Sequence, residues 1–177
     1  LQAAQLIRSI PDFPQPGILF RDITPVLADP EAFREVVSRM CDAAREFAPD
    51  KLLGIESRGS LMGSPVALEM GLGFVLARKP GKLPGATVRC EYKLEYGTNC
   101  LELPRDAVSP GERGVLVDDL LATGGTARAA GDMVEQLGGV GAGFIFFIEL
   151  TAPNGRAPPE GRSGSHWLLS AKASCNR

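Results

Sequence analysis

Two adjacent carboxylates, Asp118 and Asp119, stand between the apolar run Val115-Leu116-Val117 and a turn of small residues. That turn leads into a predicted helix, so several backbone N–H groups point to one place, where the helix dipole adds partial positive charge. Glycines let a ligand approach the backbone closely, and threonine hydroxyls add hydrogen-bond donors. We therefore predict a phosphate-binding cradle formed by Ala122, Thr123, Gly124, Gly125 and Thr126.

The two carboxylates indicate which chemical group binds beside the phosphate. Ionised carboxylates only accept hydrogen bonds, so the pair suits the hydroxyls of a ribose and not a second phosphate. Other glycine-rich segments fail as phosphate motifs. Gly54 and Gly59 have P-loop spacing, but Ser60 stands where the lysine is needed. Residues 138–143 precede a strand instead of following one, and they predict a flexible connection.

The chain around this turn alternates between short apolar runs and helical patterns. Strand patterns occur at residues 51–55, 74–77, 114–117 and 144–150, and helical patterns occur at residues 59–71 and 126–137. This alternation predicts a single α/β domain in which a parallel sheet is flanked by helices. Ligands of such sheets bind beyond the carboxyl ends of the strands, where the two carboxylates are expected.

The amino-terminal part predicts two helices around a proline-rich loop. Residues 1–9 predict a short helix that ends before Pro11. Residues 11–17 predict a loop, because prolines this dense block both helix and sheet. Asp29 precedes Pro30 and predicts the N-cap of a second helix.

Between Arg78 and Leu103 the alternation stops. A basic loop at residues 79–85 precedes two runs, 88–94 and 101–103, which predict a hairpin. An excursion of this length inside a compact domain is often a lid or a binding loop. We expect a flexible hairpin lid over residues 79–99.

Composition limits the classes of function. The chain has 177 residues and a formal net charge of -2, without the positive excess typical of duplex binding, so no nucleic-acid partner is expected. The apolar run at residues 144–148 is too short to span a bilayer, and the first residues do not resemble a signal peptide. The four cysteines lack paired spacing. We expect a cytoplasmic protein without a membrane partner.

Several separate motifs follow one another in the order found in a known family. The chain resembles the type I phosphoribosyltransferases, and among them the branch that acts on adenine. The resemblance covers nearly all of residues 7–151. Besides the phosphate turn, it rests on Ser9-Ile10-Pro11-Asp12-Phe13-Pro14, Pro16-Gly17-Ile18-Leu19-Phe20-Arg21-Asp22-Ile23-Thr24-Pro25, Glu56-Ser57-Arg58-Gly59, Arg78-Lys79, Gly81-Lys82-Leu83-Pro84 and Leu94-Glu95-Tyr96-Gly97.

The resemblance implies a pentosyl transfer in purine salvage: adenine and phosphoribosyl pyrophosphate give AMP and pyrophosphate, with Mg²⁺. The phosphate turn would hold the 5′-phosphate, and Asp118 and Asp119 would hold the ribose hydroxyls. The resemblance also implies basic residues facing the pyrophosphate, which are Arg58, Arg78, Lys79 and Lys82. Mg²⁺ would be carried by the pyrophosphate, without a direct protein ligand.

For the second substrate, the resemblance implies an adenine pocket formed by Leu19, Phe20 and Arg21. Glu95 would act as general acid or base at the purine, and Tyr96 would help to close the lid. Read without the family, Glu95 is equally well explained as a surface residue of the hairpin. Related 6-oxopurine enzymes carry an aspartate within the phosphate turn where Ala122 stands, which favours a 6-aminopurine.

The chain also departs from the family pattern. Ser60 replaces an aromatic or large apolar residue after Arg58-Gly59. We assign residues 1–155 to the phosphoribosyltransferase domain and residues 156–177 to a divergent tail of linker-like composition, in which Trp167 to Leu169 are a poor match for the family's final strand.

The resemblance implies a homodimer. Two alternatives stay open: a transferase for another base, and a weakly active or non-catalytic regulatory protein that binds phosphoribosyl pyrophosphate.

Overall fold

The computed structural model describes residues 1–94, 97–121, 124–151 and 164–172. The helices are α1 (Ala3–Leu6), α2 (Thr24–Ala28), α3 (Pro30–Arg45), α4 (Arg58–Met70) and α5 (Gly125–Gln136). The strands are β1 (Arg8–Pro11), β2 (Leu19–Asp22), β3 (Lys51–Ile55), β4 (Gly73–Ala77), β5 (Thr87–Leu94), β6 (Gly97–Pro104), β7 (Arg113–Leu121), β8 (Val140–Thr151) and β9 (Ser165–Lys172).

A parallel five-stranded sheet lies at the centre, in the order β4-β3-β7-β8-β9. Its inner strands β3, β7 and β8 are apolar on both faces because both faces are covered. Val115 and Val117 of β7 belong to the core formed with α3 and α4, whereas Leu116 belongs to the core formed with α5 and the β5–β6 hairpin. This alternation follows from the two-residue period of a strand, and it confirms the predicted α/β class.

The ends of the helices follow from local sequence. The Asp29 carboxylate accepts hydrogen bonds from the backbone N–H groups of Glu31 and Ala32, at 3.0 and 2.8 Å, so the predicted N-cap of α3 is confirmed. Helix α4 ends at Gly71, whose φ of +67° lies in the left-handed region that glycine adopts without strain. None of the helices in the described ranges has both the length and the apolar character needed to cross a bilayer.

Two predictions near the termini of the chain are wrong. Residues 1–9 do not form one helix: α1 covers only Ala3–Leu6, and Pro11 belongs to β1, which pairs with β2 in a separate two-stranded sheet. Proline is tolerated there because the strand lies at a sheet edge, where one side of the backbone needs no partner. This small sheet holds the predicted adenine-pocket residues.

The second correction concerns Trp167 to Leu169, for which no clear strand was expected. These residues lie in β9, which pairs with β8 from the Phe144–Ser165 pair to the Thr151–Lys172 pair. At its start, the His166 ring packs edge-on against Phe47 with ring centroids 5.3 Å apart. Parallel pairing to a buried neighbour and this aromatic contact position a segment whose own pattern predicts a strand only weakly.

Candidate active site

The carboxylate pair lies within the last part of β7, next to the first turn of α4. The strand is longer than predicted and continues through the pair, because Asp118 stands opposite Phe146 of β8 and Leu120 opposite Ile148. The Asp118 carboxylate accepts a hydrogen bond from the backbone N–H of Asp119 at 2.9 Å. The strand therefore fixes both carboxylates at the carboxyl edge of the sheet, as predicted.

Arg58 joins three parts of the predicted site. It is the first residue of α4, and its Nε lies 3.0 Å from the Oδ2 of Asp119. The Asp119 side chain is 5% exposed and the Arg58 side chain 35% exposed, so this ion pair is protected from water on one side only. The Arg58 guanidinium also lies 5.3 Å from the centroid of the Phe20 ring, a cation–π distance. The arginine thus connects the carboxylates predicted to bind the ribose with the segment predicted to form the adenine pocket.

Burial sets the protonation of the carboxylate pair. It raises the pKa of Asp118 well above its ordinary value, and repulsion from Asp119 raises it further. Asp118 keeps part of its surface exposed, although protein surrounds its carboxyl group on most sides. Burial also raises the pKa of Asp119, and the Arg58 guanidinium opposes that shift. Two carboxyl groups this close cannot both be charged without cost, so the ligand-free pair tends to retain a proton.

We expect Asp118→Asn to raise the melting temperature of the ligand-free protein, by an amount that grows as the pH rises from about 4 towards neutrality. Above the ordinary carboxyl pKa the unfolded chain releases a proton that folded Asp118 still holds. Wild-type stability therefore falls as pH rises through this window, whereas asparagine has no proton to release. Thermal denaturation across this range measures the difference. A gain that does not depend on pH would contradict the assigned protonation.

The first turn of α4 packs so closely on β7 that it excludes a side chain. A Cβ atom on Gly59 would lie 2.6 Å from the carbonyl oxygen of Val117 and 2.8 Å from the Oδ1 of Asp118. Real Cβ atoms do not approach so closely, so glycine is required at this position. The contact places the amino end of α4, and with it Arg58, directly against the carboxylates.

Within the phosphate turn, Gly124 has a φ of +76° and immediately precedes the first residue of α5, Gly125. The left-handed conformation favours glycine and turns the chain into the helix, which fits the predicted cradle. Thr126 stands in the first turn of α5. Of the other predicted residues, Ala122 and Thr123 of the cradle and Glu95 and Tyr96 of the lid lie outside the described residues.

The basic residues after β4 do not share one environment. The guanidinium of Arg78 donates to the Glu56 carboxylate at 3.0 and 3.2 Å and to the Lys82 carbonyl at 3.0 Å. The backbone N–H of Lys79 also donates to Glu56, at 3.1 Å. These donors hold the pKa of Glu56 below its ordinary value. The side chains of Lys79 and Lys82 are exposed, so they and not Arg78 present their charge to solvent.

Strand β2 carries the predicted adenine pocket and is fixed by its neighbours. Phe20 packs edge-on against Phe13, with ring centroids 5.1 Å apart. Arg21 donates through Nη1 to the Ser9 hydroxyl, across the β1–β2 pairing. The next residue, Asp22, accepts from Arg8 Nη2 at 2.6 Å and from the Thr24 N–H at 2.9 Å. The hydrogen bond from Thr24 and the arginine keep the pKa of Asp22 below its ordinary value.

Sequence reasoning missed two carboxylates that organise the basic loop. Glu56 appeared only as part of a motif, although it receives both the Arg78 side chain and the Lys79 amide. Glu102 falls within the predicted hairpin and carries no predicted role, although it is 1% exposed. The one sequence signal for Glu102 is its place between the apolar residues Leu101 and Leu103, and only the structure shows that it stands opposite Arg89.

Comparison with known proteins places the chain in one family. Residues 26–161 match the phosphoribosyl transferase domain. The chain is 53% identical to the adenine phosphoribosyltransferase of Gloeobacter violaceus over 158 residues, which cover 89% of this chain and 92% of the relative. It is 54% identical to that of Chloroflexus aurantiacus over 153 residues, which cover 86% and 88%.

Solved structures agree with this placement. The crystal structure of adenine phosphoribosyltransferase from Thermoanaerobacter pseudethanolicus superimposes with a TM-score of 0.90 at 45% identity, covering 96% of this chain and 98% of that one. The Saccharomyces cerevisiae enzyme, complexed with adenine and an imino-altritol bisphosphate, superimposes with a TM-score of 0.79 at 38% identity, covering 84% and 87%. This chain belongs to the phosphoribosyltransferase family, and within that family to the adenine phosphoribosyltransferases.

Proposed function

We infer that the chain transfers the 5-phosphoribosyl group from phosphoribosyl pyrophosphate to adenine, giving AMP and pyrophosphate in purine salvage. One observation supports this reaction most directly. Arg58 contacts both the buried Asp119 at the end of β7 and the face of Phe20 on β2. The predicted ribose, pyrophosphate and adenine sites therefore meet at one side chain, as a transfer between these three groups requires.

The turn before α5 is suited to the 5′-phosphate of the substrate. Gly124, Gly125 and Thr126 stand at the amino end of a helix whose dipole favours an anion. Asp118 and Asp119 would accept hydrogen bonds from the two ribose hydroxyls. When the bond to pyrophosphate breaks, positive charge develops on the ribose ring, and nearby carboxylates stabilise it.

The leaving pyrophosphate would be held by Arg58 together with Lys79 and Lys82, whose side chains are exposed beside the site. Arg78 would contribute mainly by holding the loop, because its guanidinium is already bonded to Glu56 and to the Lys82 carbonyl. Mg²⁺ would arrive with the substrate and screen the pyrophosphate charge. Such hard ions commonly bind phosphate oxygens and waters with few protein ligands, and this suits a site whose pyrophosphate side is basic.

At the adenine end, Leu19, Phe20 and Arg21 would form the pocket, with Glu95 moving a proton at the purine and Tyr96 helping the lid to exclude water. Ala122 leaves no carboxylate in the phosphate turn to act on a 6-oxopurine. Adenine is therefore expected to exceed hypoxanthine and guanine in kcat/KM by about 10²-fold or more. Steady-state rates with each base at saturating phosphoribosyl pyrophosphate measure this, and comparable values for hypoxanthine would overturn the assignment of adenine.

A homodimer is part of the proposal. Leu61 and Leu68 lie seven residues apart on α4, on one face of the helix, and they are 51% and 83% exposed. Exposed leucines in a row suit burial against a second copy. Light scattering is expected to give twice the chain mass, and Leu68→Glu to shift the protein towards the monomer. A monomeric wild-type protein at assay concentration would contradict the dimer.

A cytoplasmic location also belongs to the proposal. Cys41, Cys90 and Cys100 are free thiols in the described part of the chain, and unpaired thiols persist best in a reducing compartment. Fractionation of cells that express the full-length protein tests the location. Recovery of the protein from the soluble fraction is expected, and recovery only from an oxidising compartment would contradict it.

A further inference from the structure

Residues 78–82 connect the central sheet to the lid hairpin and carry the two exposed lysines of the pyrophosphate side. This lysine loop is short and contains Pro80 and Gly81, of which Gly81 has a φ of +74°. An exposed loop of this composition holds its shape only if other groups fix its backbone. Two carboxylates from neighbouring elements do so.

The first carboxylate, Glu56, receives the Lys79 amide at the start of the loop. The second, Glu102 of β6, receives the Gly81 amide on its Oε2 at 3.1 Å. Pro80 between them has no N–H to donate. The two backbone N–H groups on either side of Pro80 therefore both donate to carboxylates, and these contacts fix the loop before and after the proline.

Glu102 is itself held in place by the sheet. Its backbone N–H and carbonyl bond to the carbonyl and N–H of Arg78, at 2.7 and 3.0 Å. The Oε1 of Glu102 lies 2.5 Å from the Nε of Arg89. The two groups form an ion pair, but their orientation is not that of a hydrogen bond. The side chain of Glu102 is 2% exposed and that of Arg89 66% exposed. A carboxylate this deeply buried is stable only because it has partners, and these are the guanidinium of Arg89 and the Gly81 amide.

We propose that Glu102 is a positioning residue, which holds the lysine loop in the conformation that presents Lys79 and Lys82 to the pyrophosphate of the substrate. Glu102 does this through its contact with the Gly81 amide and touches no substrate. The inference rests on the proposed role of these lysines. It predicts that loss of the contact weakens binding of phosphoribosyl pyrophosphate and leaves adenine binding unchanged.

Two conservative variants separate the effect of the length of the Glu102 side chain from the effect of its charge. Glu102→Asp keeps the charge beside Arg89 but is one methylene shorter, and the backbone pairing with Arg78 prevents the strand from following. Glu102→Gln keeps the length and one acceptor oxygen for Gly81 but loses the charge. Arg89→Ala is the matched control, because it removes the other partner of Glu102 without altering the contact with Gly81.

A hydrogen bond to a charged group typically accounts for about tenfold or more in an equilibrium constant. We therefore expect Glu102→Asp to raise the KM for phosphoribosyl pyrophosphate about tenfold, with the KM for adenine within about twofold of wild type. Glu102→Gln and Arg89→Ala should stay within about threefold for both substrates. Amide hydrogen exchange is expected to become faster over residues 79–83 in Glu102→Asp only.

Several results would overturn the inference. One is an unchanged exchange rate in Glu102→Asp, and another is an equal rise of both KM values, which a general loss of structure would cause. A third is a stronger effect of Glu102→Gln than of Glu102→Asp, which would assign the role to the buried charge. A further variant, Lys82→Ala, tests the proposed role of the lysines separately from the role of Glu102. If Lys82→Ala leaves the KM for phosphoribosyl pyrophosphate unchanged, the proposed role of the lysines is wrong, and the inference about Glu102 is wrong as well.

Discussion

Glu95→Gln is expected to lower kcat by about 10²–10⁴-fold while the dissociation constant for phosphoribosyl pyrophosphate stays unchanged. Glutamine has the size and shape of glutamate, so the hairpin and the proposed substrate contacts should persist. It cannot take up or release a proton at the purine, and this is the step that general acid–base catalysis accelerates. Single-turnover formation of AMP, together with equilibrium binding of phosphoribosyl pyrophosphate, separates the two effects.

Glu91→Gln is the matched control for this variant. Glu91 lies on β5 of the same hairpin, exposed and opposite Cys100, and has no assigned role in the reaction. The same chemical change there should leave kcat within about twofold. A kcat of Glu95→Gln that also stays near wild type would show that Glu95 is a surface residue of the hairpin, and that the proton is moved by another group.

Asp119→Asn is expected to lower kcat/KM for phosphoribosyl pyrophosphate by about 10- to 150-fold, the range for loss of one hydrogen bond to a charged group. The substitution removes the charge proposed to bind the ribose hydroxyls and also the ion pair with Arg58, whose Nε lies 3.0 Å from the Oδ2 of Asp119. Because Asp119 is only 4% exposed, water replaces neither interaction. Initial rates at varied phosphoribosyl pyrophosphate measure the loss.

The matched control is Asp42→Asn. Asp42 also pairs with an arginine, Arg45, at 2.8 Å, but both side chains are more than half exposed on the surface of α3. Exposed pairs of this kind contribute about 0–1 kcal/mol, so neither rate nor stability should change measurably. If Asp119→Asn retained the kcat/KM of Asp42→Asn, the carboxylate would have no part in binding the ribose.

The elements of the sheet were predictable where residue patterns are strong. Strand β3 has the predicted ends, and the Asp29 N-cap fixes the start of α3. The register of β9 was not predictable, because its residues alternate poorly and their position depends on β8 and Phe47. The strand containing Pro11 was missed for a related reason: its pairing with β2 is a tertiary contact that overrides the local preference of proline.

The same distinction holds at the site. The carboxylates of β7 and the two glycines at the start of α5 are close in sequence, so their joint chemistry could be predicted from spacing alone. The contact of Arg58 with Phe20 joins residues far apart in the chain, and only the resemblance pointed to both. The partners of Arg78 and Glu102 come from the loops after β3 and β4 and from strands β5 and β6, and no sequence period connects them.

The most direct test of the account is the formation of AMP by purified protein supplied with Mg²⁺, phosphoribosyl pyrophosphate and labelled adenine. We expect labelled AMP to accumulate with one pyrophosphate released for each AMP formed, and no product when adenine or phosphoribosyl pyrophosphate is omitted. Folded protein that binds phosphoribosyl pyrophosphate but forms no AMP would contradict the assigned reaction, and would favour a regulatory protein that binds this ligand on the same fold.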